Sequence, residues 1–114
     1  TAGAMAAARA VVGRRIEDGD GARTRLVVGA RALGSVPLTD EIDAMRTAGV
    51  RVRIVLSGAD APLHYDRGYV QHVLEHEWCA RPWVFVAGAP DMVDGVRQAS
   101  VALGAEADRI VSNA

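Results

Sequence analysis

A chain of 114 residues, half apolar and 24% charged, has room for one soluble globular domain built around one core. Its formal charge of -1 leaves no electrostatic footprint for nucleic acid or an anionic membrane. All 13 basic residues are Arg, so the absence of Lys excludes a Walker-type phosphate lysine, a Schiff-base lysine and a lysine general base.

The opening stretch from about Ala4 to Glu17 reads as a helix, because Met5, Ala8, Val12 and Ile16 recur at three- to four-residue steps. Asp18-Gly19-Asp20-Gly21 is a turn cluster that ends it. Leu26-Val27-Val28 is too short for a helix and rich in β-formers, which predicts a strand covered on both faces. Gly29 to Pro37 reads as a loop. A second helix is expected from roughly Thr39 to Ala48, with Asp40 and Glu41 in its first turn and Gly49 just past its end. Val50, Val52, Ile54 and Leu56 alternate with Arg51 and Arg53, the pattern of a strand near a sheet edge.

Ser57 to Arg67 is expected to be a loop, and Gly68 to about Glu77 a third helix with Val70, Val73 and Leu74 on its apolar stripe. Trp83-Val84-Phe85-Val86 is apolar without alternation, which predicts a central strand. The last helix is the clearest: Pro90 suits its first position, Met92, Val93, Val96, Ala99 and Leu103 share one face, and Gly104 ends it. A short strand, Arg109 to Ser112, closes the chain. This alternation predicts an α/β fold, a doubly wound parallel sheet of Rossmann-like type. Such sheets usually start with a strand, and this chain starts in a helix. The first strand is therefore expected to be missing, the 114 residues being a segment of a longer protein or a domain whose partner supplies that strand.

Cys79 is the only cysteine, so neither an internal disulfide nor a cysteine cage for a metal can form. Beside Trp78 and near Trp83 it is expected to be a small buried hydrophobe. No apolar run reaches the roughly 18 to 20 residues needed to span a bilayer, and no signal peptide is visible; a cytoplasmic location is expected. His72-Val73-Leu74-Glu75-His76 spells the H-x-x-E-H of one zinc peptidase class. The apolar stripe leaves both histidines toward solvent, so the expectation is a solvated helix face with no metal.

In an open parallel sheet the ligand crevice lies beyond the carboxyl ends of the strands. Small residues gather at four such places: Gly3, Gly29-Ala30-Arg31, Ser57-Gly58 and Ala87-Gly88-Ala89-Pro90. Small side chains let a ligand approach the backbone, and a following helix offers free N–H groups to a phosphate. Leu26-Val27-Val28-Gly29-Ala30-Arg31, followed by Pro37-Leu38-Thr39-Asp40-Glu41-Ile42, resembles the Y-G-A-R…D-E-L stretch of ferredoxin-reductase-type NAD(P)-binding domains. Val55-Leu56-Ser57 is similar to that family's ribose-facing strand end. Val84 to Val93 is similar to its hydrophobic-C-G-P-x-x-M segment, and Gly104 to Ile110 to its approach to the last strand.

The resemblance implies a pyridine-nucleotide-binding module of a flavin-dependent electron-transfer oxidoreductase. Its cofactor would be NAD(P)H, with the pyrophosphate at the loop containing Gly3 and Ala4, the ribose near Ser57 and the nicotinamide near Ala87 to Pro90. The implied cofactor-binding residues are Gly3, Ala4, Arg31, Ser57, Gly88, Ala89, Pro90 and Met92. Gly58 stands where many members carry an Arg for the 2′-phosphate, which favours NADH over NADPH. FAD or FMN would be held only by a companion flavin-binding barrel domain or subunit, with an iron–sulfur, haem or oxygenase partner accepting the electrons. The alternative is a docking or structural domain that kept the fold and lost nucleotide binding: Ala87 replaces the family's Cys, the first loop is altered, and the end lacks the family's H-x-E and terminal aromatic.

Overall fold

The computed structural model describes residues 2–32, 39–58 and 65–112. Helix α1 spans Ala2–Glu17 and strand β1 Arg25–Ala30; α2 spans Thr39–Thr47 and β2 Arg51–Leu56. Then follow a two-residue strand β3 (Asp66–Arg67), β4 (Val84–Val86), α3 (Pro90–Ala102) and β5 (Ile110–Ser112). Every strand pair is parallel, as short α/β alternation requires. This is an α/β fold with parallel sheets.

Met5 and Val12 are buried as the α1 stripe requires, and each meets the alternate apolar residues of β1 and β2. Met5 packs with Val28, Ile42 and Leu56; Val12 packs with Met45 and Val50. α3 starts at Pro90 and buries Val93, Val96 and Ser100, with Val86 completing its cluster. Gly104, at φ +101, turns the chain after it. α1 and α2 cover one face of β1. The opposite face meets Val70, whose side chain lies against Gly29.

Four expectations are corrected. The strands form two sheets, β1-β2-β3 and β4-β5, so β4 is not flanked on both sides among the described residues and Trp83 stays 66% exposed. β2 lies between β1 and the two-residue β3, which pairs only with Val55 and Leu56, so β2 is near the sheet edge as its alternation predicts, and its arginines face a shielded carboxylate there. The expected loop from Ser57 to Arg67 contains β3, while residues 59–64, with Pro62 and His64, lie outside the described residues. Residues 33–38 of the first loop, with Pro37 and Leu38, do so as well.

The third helix is two 3-10 turns, Val70–His72 and Leu74–Glu77. Val73, β-branched and at φ -117, breaks the helical path between them, and the ion pairs of Glu77 pull the second turn onto β2. Cys79 is exposed. The connection carrying it is held by Arg25, whose Nη1 donates to the carbonyls of Glu77 (2.6 Å) and Trp78 (3.2 Å).

Candidate functional site

The carboxyl ends of β1 and β2 are tied together past the last paired strand residues. Ser57 N–H donates to the Ala30 carbonyl at 2.9 Å, and Gly58 N–H to the Arg31 carbonyl at 2.7 Å. A Cβ on Gly58 would collide with that Arg31 carbonyl, so glycine is what permits this approach. Across the domain, β4 ends in Ala87-Gly88-Ala89, which leads into α3. Ala89 caps α3 with extended backbone and no side-chain hydrogen bond, and Pro90 has no N–H, so the first-turn amides are free of a side-chain cap.

Between these ends lies a cavity of about 1410 Å³. Arg31, Ser57, Gly88, Ala89 and Met92 all line it, and Pro90 stands in the first turn of α3 beside them. Arg31 is exposed, and no carboxylate among the described residues pairs with it. Gly88 sits against Met92: a Cβ there would collide with the Met92 Cε. Gly3 and Ala4 do not form the expected loop. α1 begins at Ala2, so both belong to its first turn, and their neighbour Met5 lines the cavity. The run of alanines after Gly3 explains the early start, since Ala is the strongest helix former.

The histidine motif does not share a helix face. His72 and His76 fall in separate 3-10 turns, and His72 Nδ1 accepts the Tyr69 N–H at 3.2 Å. Among the described residues no group of three or more His, Cys, Asp or Glu side chains could hold a metal. No helix among them is long and apolar enough to cross a membrane.

Two groups of residues in this region went unread in the sequence. Tyr69, Trp83 and Phe85 line the cavity and are exposed. At the other end of the sheet, Glu77 is 8% exposed and receives Arg51 at 3.1 Å and Arg53 at 3.0 Å, with Arg25 at 3.9 Å. Burial pushes the Glu77 carboxyl up, but the hydrogen bonds from Arg51 and Arg53 outweigh it and hold the group below the ordinary carboxylate range. The Arg53 guanidinium is raised, chiefly by its hydrogen bond to Asp66 at 2.8 Å. Arginine at alternate strand positions was the legible half of that cluster; its carboxylate lay 24 residues away from Arg53.

In fold, the chain is similar to a ferredoxin reductase. The matched structure is described as the ferredoxin reductase in carbazole 1,9a-dioxygenase, with a TM-score of 0.66 and 20% identity over 79% of this chain. The chain spans 28% of the length of that structure. No family model and no curated protein matches it. At this identity the likeness bears on the fold alone.

Proposed function

We propose that this domain binds a nicotinamide dinucleotide, NADH in preference to NADPH, as the pyridine-nucleotide module of a flavin-dependent electron-transfer oxidoreductase. The observation that carries the reading is that Arg31, Ser57 and Gly88 each follow the carboxyl end of a parallel strand and line one cleft, which also runs back along β1 to Thr24. Arg31 would receive phosphate oxygens, and Ser57 would hydrogen-bond a ribose hydroxyl. Gly88 and Ala89 leave room for the nicotinamide ring. When bound, that ring supplies a hydride to a flavin held by a companion domain, and an iron–sulfur, haem or oxygenase partner takes the electrons onward. The NADH preference follows from Gly58: an arginine for a 2′-phosphate would collide there with the Arg31 carbonyl.

Isothermal titration calorimetry with NADH and NADPH tests this. Binding of NADH, weakened by Arg31→Ala, is expected. Failure of NADH to bind at about 1 mM, where even a contact worth roughly 4 kcal/mol would register, removes the reading. Tighter binding of NADPH overturns the argument from Gly58. A second reading, a docking domain in which nucleotide binding has been lost, is favoured by the absorption of Gly3 and Ala4 into α1. The same null titration would select it.

A further inference from the structure

The room that Gly88 offers beside α3 is filled in the free domain. A first side-chain carbon on Gly88 would overlap Met92 Cε and stand 3.7 Å from Met92 Sδ. Apart from the chain neighbours of Gly88, no other heavy atom among the described residues comes within 4 Å of that point. One methylthio end therefore covers the open face of Gly88. Local structure puts it there. α3 starts at Pro90, Met92 lies in its first turn, and helical side chains lean toward the amino end of their helix. Met92 thus reaches back past the capping Ala89 to the residue before it.

Met92 has two kinds of neighbour. It packs against the cluster of Val86, Val93 and Val96, and it also lines the cleft shared with Arg31 and Ser57. Met5 and Met45, by contrast, are buried members of the clusters between the helices and the sheet. Methionine is unbranched, with three rotatable bonds, so its end can swing while its base stays packed.

We infer that Met92 is a displaceable cover over a nicotinamide seat at Gly88: its Sδ–Cε end fills the seat in the free domain and swings aside when the ring enters. The inference rests on the nicotinamide reading given above and adds what the ring has to move on arrival. Because Gly88 has no Cβ, ring and thioether compete for the same face of one backbone unit. The ADP-ribose half of the dinucleotide, received by Arg31 and Ser57, does not need that face. Affinity then resides in the ADP-ribose half, and the contacts of the ring are offset by the methyl packing it displaces.

Met92→Leu separates the cover from the core. Leucine ends one heavy atom earlier, at the level of Sδ, so it keeps an apolar side chain against Val86, Val93 and Val96 and withdraws the methyl from Gly88. Calorimetry compares NADH with ADP-ribose, which lacks the nicotinamide ring, on the wild-type chain and on the variant. NADH is expected to bind the variant about fourfold more tightly, the equivalent of burying one methyl group, with ADP-ribose affinity unchanged. In the wild-type chain with methyl-labelled methionine, the Met92 methyl resonance is expected to shift with NADH and to stay in place with ADP-ribose. That measurement holds even where the variant is poorly folded. Unchanged or weaker NADH binding by the variant, equal tightening of both ligands, or a Met92 methyl that ignores NADH or follows both ligands alike overturns the cover and leaves the dinucleotide reading standing. Binding of neither ligand to either protein removes that reading and the cover together.

Discussion

Glu77→Gln is the most informative single change, because one buried carboxylate holds the end of a 3-10 turn against β2. The carboxylate takes Arg51 through Nε at 3.1 Å and Nη2 at 3.3 Å, and Arg53 through Nε at 3.1 Å. Each charge-assisted bond is worth about 1.5 to 3 kcal/mol when shielded, but Arg51 is 58% exposed and its share falls below about 1 kcal/mol. Gln keeps the shape and loses the charge, so a cost of about 2 kcal/mol is expected near neutral pH. For a domain of this size that lowers Tm by roughly 6 to 12 °C. The pH dependence has a definite sign. The folded pKa of Glu77 lies below its ordinary value, so the contribution is complete above the unfolded carboxyl pKa of about 4.3 and is lost as pH falls through the folded value. Arg53 titrates above the working range and adds nothing to this slope. Urea unfolding followed by tryptophan fluorescence should therefore show the two proteins well separated at about pH 7, with the gap narrowing progressively as pH falls below about 4.3. A gap below about 0.5 kcal/mol at neutral pH, or one that persists undiminished in acid, refutes the reasoning.

Gly88→Ala pushes a methyl group into the flexible end of Met92 and places an L side chain at φ +156, so stability should fall by about 1 to 3 kcal/mol. NADH affinity should fall about tenfold as Met92 moves into the cavity, and calorimetry showing unchanged affinity would separate Gly88 from the site. Ser100 is fully buried in α3, and its Oγ has no hydrogen-bond partner among the described residues. Ser100→Ala should therefore stabilise the domain by about 1 kcal/mol, seen as a higher urea midpoint with an unchanged slope; destabilisation would mean that the hydroxyl is satisfied.

Local signals were read well wherever local forces decide the structure. Pro90, the Val93/Val96 spacing and Gly104 bound α3 because helix entry, stripe and exit are each encoded within a few residues. The third helix failed for the complementary reason. Val70, Val73 and Leu74 satisfy a helical period, yet Val73 at φ -117 and the pull of Arg51 and Arg53 on Glu77 leave two short turns. That pull comes from a different strand, and no window of adjacent residues contains it. Cys79 follows the same logic: its aromatic neighbours in sequence suggest burial, whereas its connection is held by Arg25, 53 residues from Trp78.

The candidate site was legible at the rim and illegible in the middle. Arg31, Ser57 and Gly88 follow strand ends, and parallel topology alone carries such residues to one side of a sheet, so their common cavity needed no long-range prediction. What lies between β1 and β4 could be read only as an irregularity, an alternating pattern that opens on a helix. The structure turns that irregularity into geometry. Val27, Val28 and Gly29 line the cleft on one side and Val84, Phe85 and Val86 on the other, and Phe85 is 38% exposed, so the run that reads as a central strand in sequence lies at the cleft with an open side.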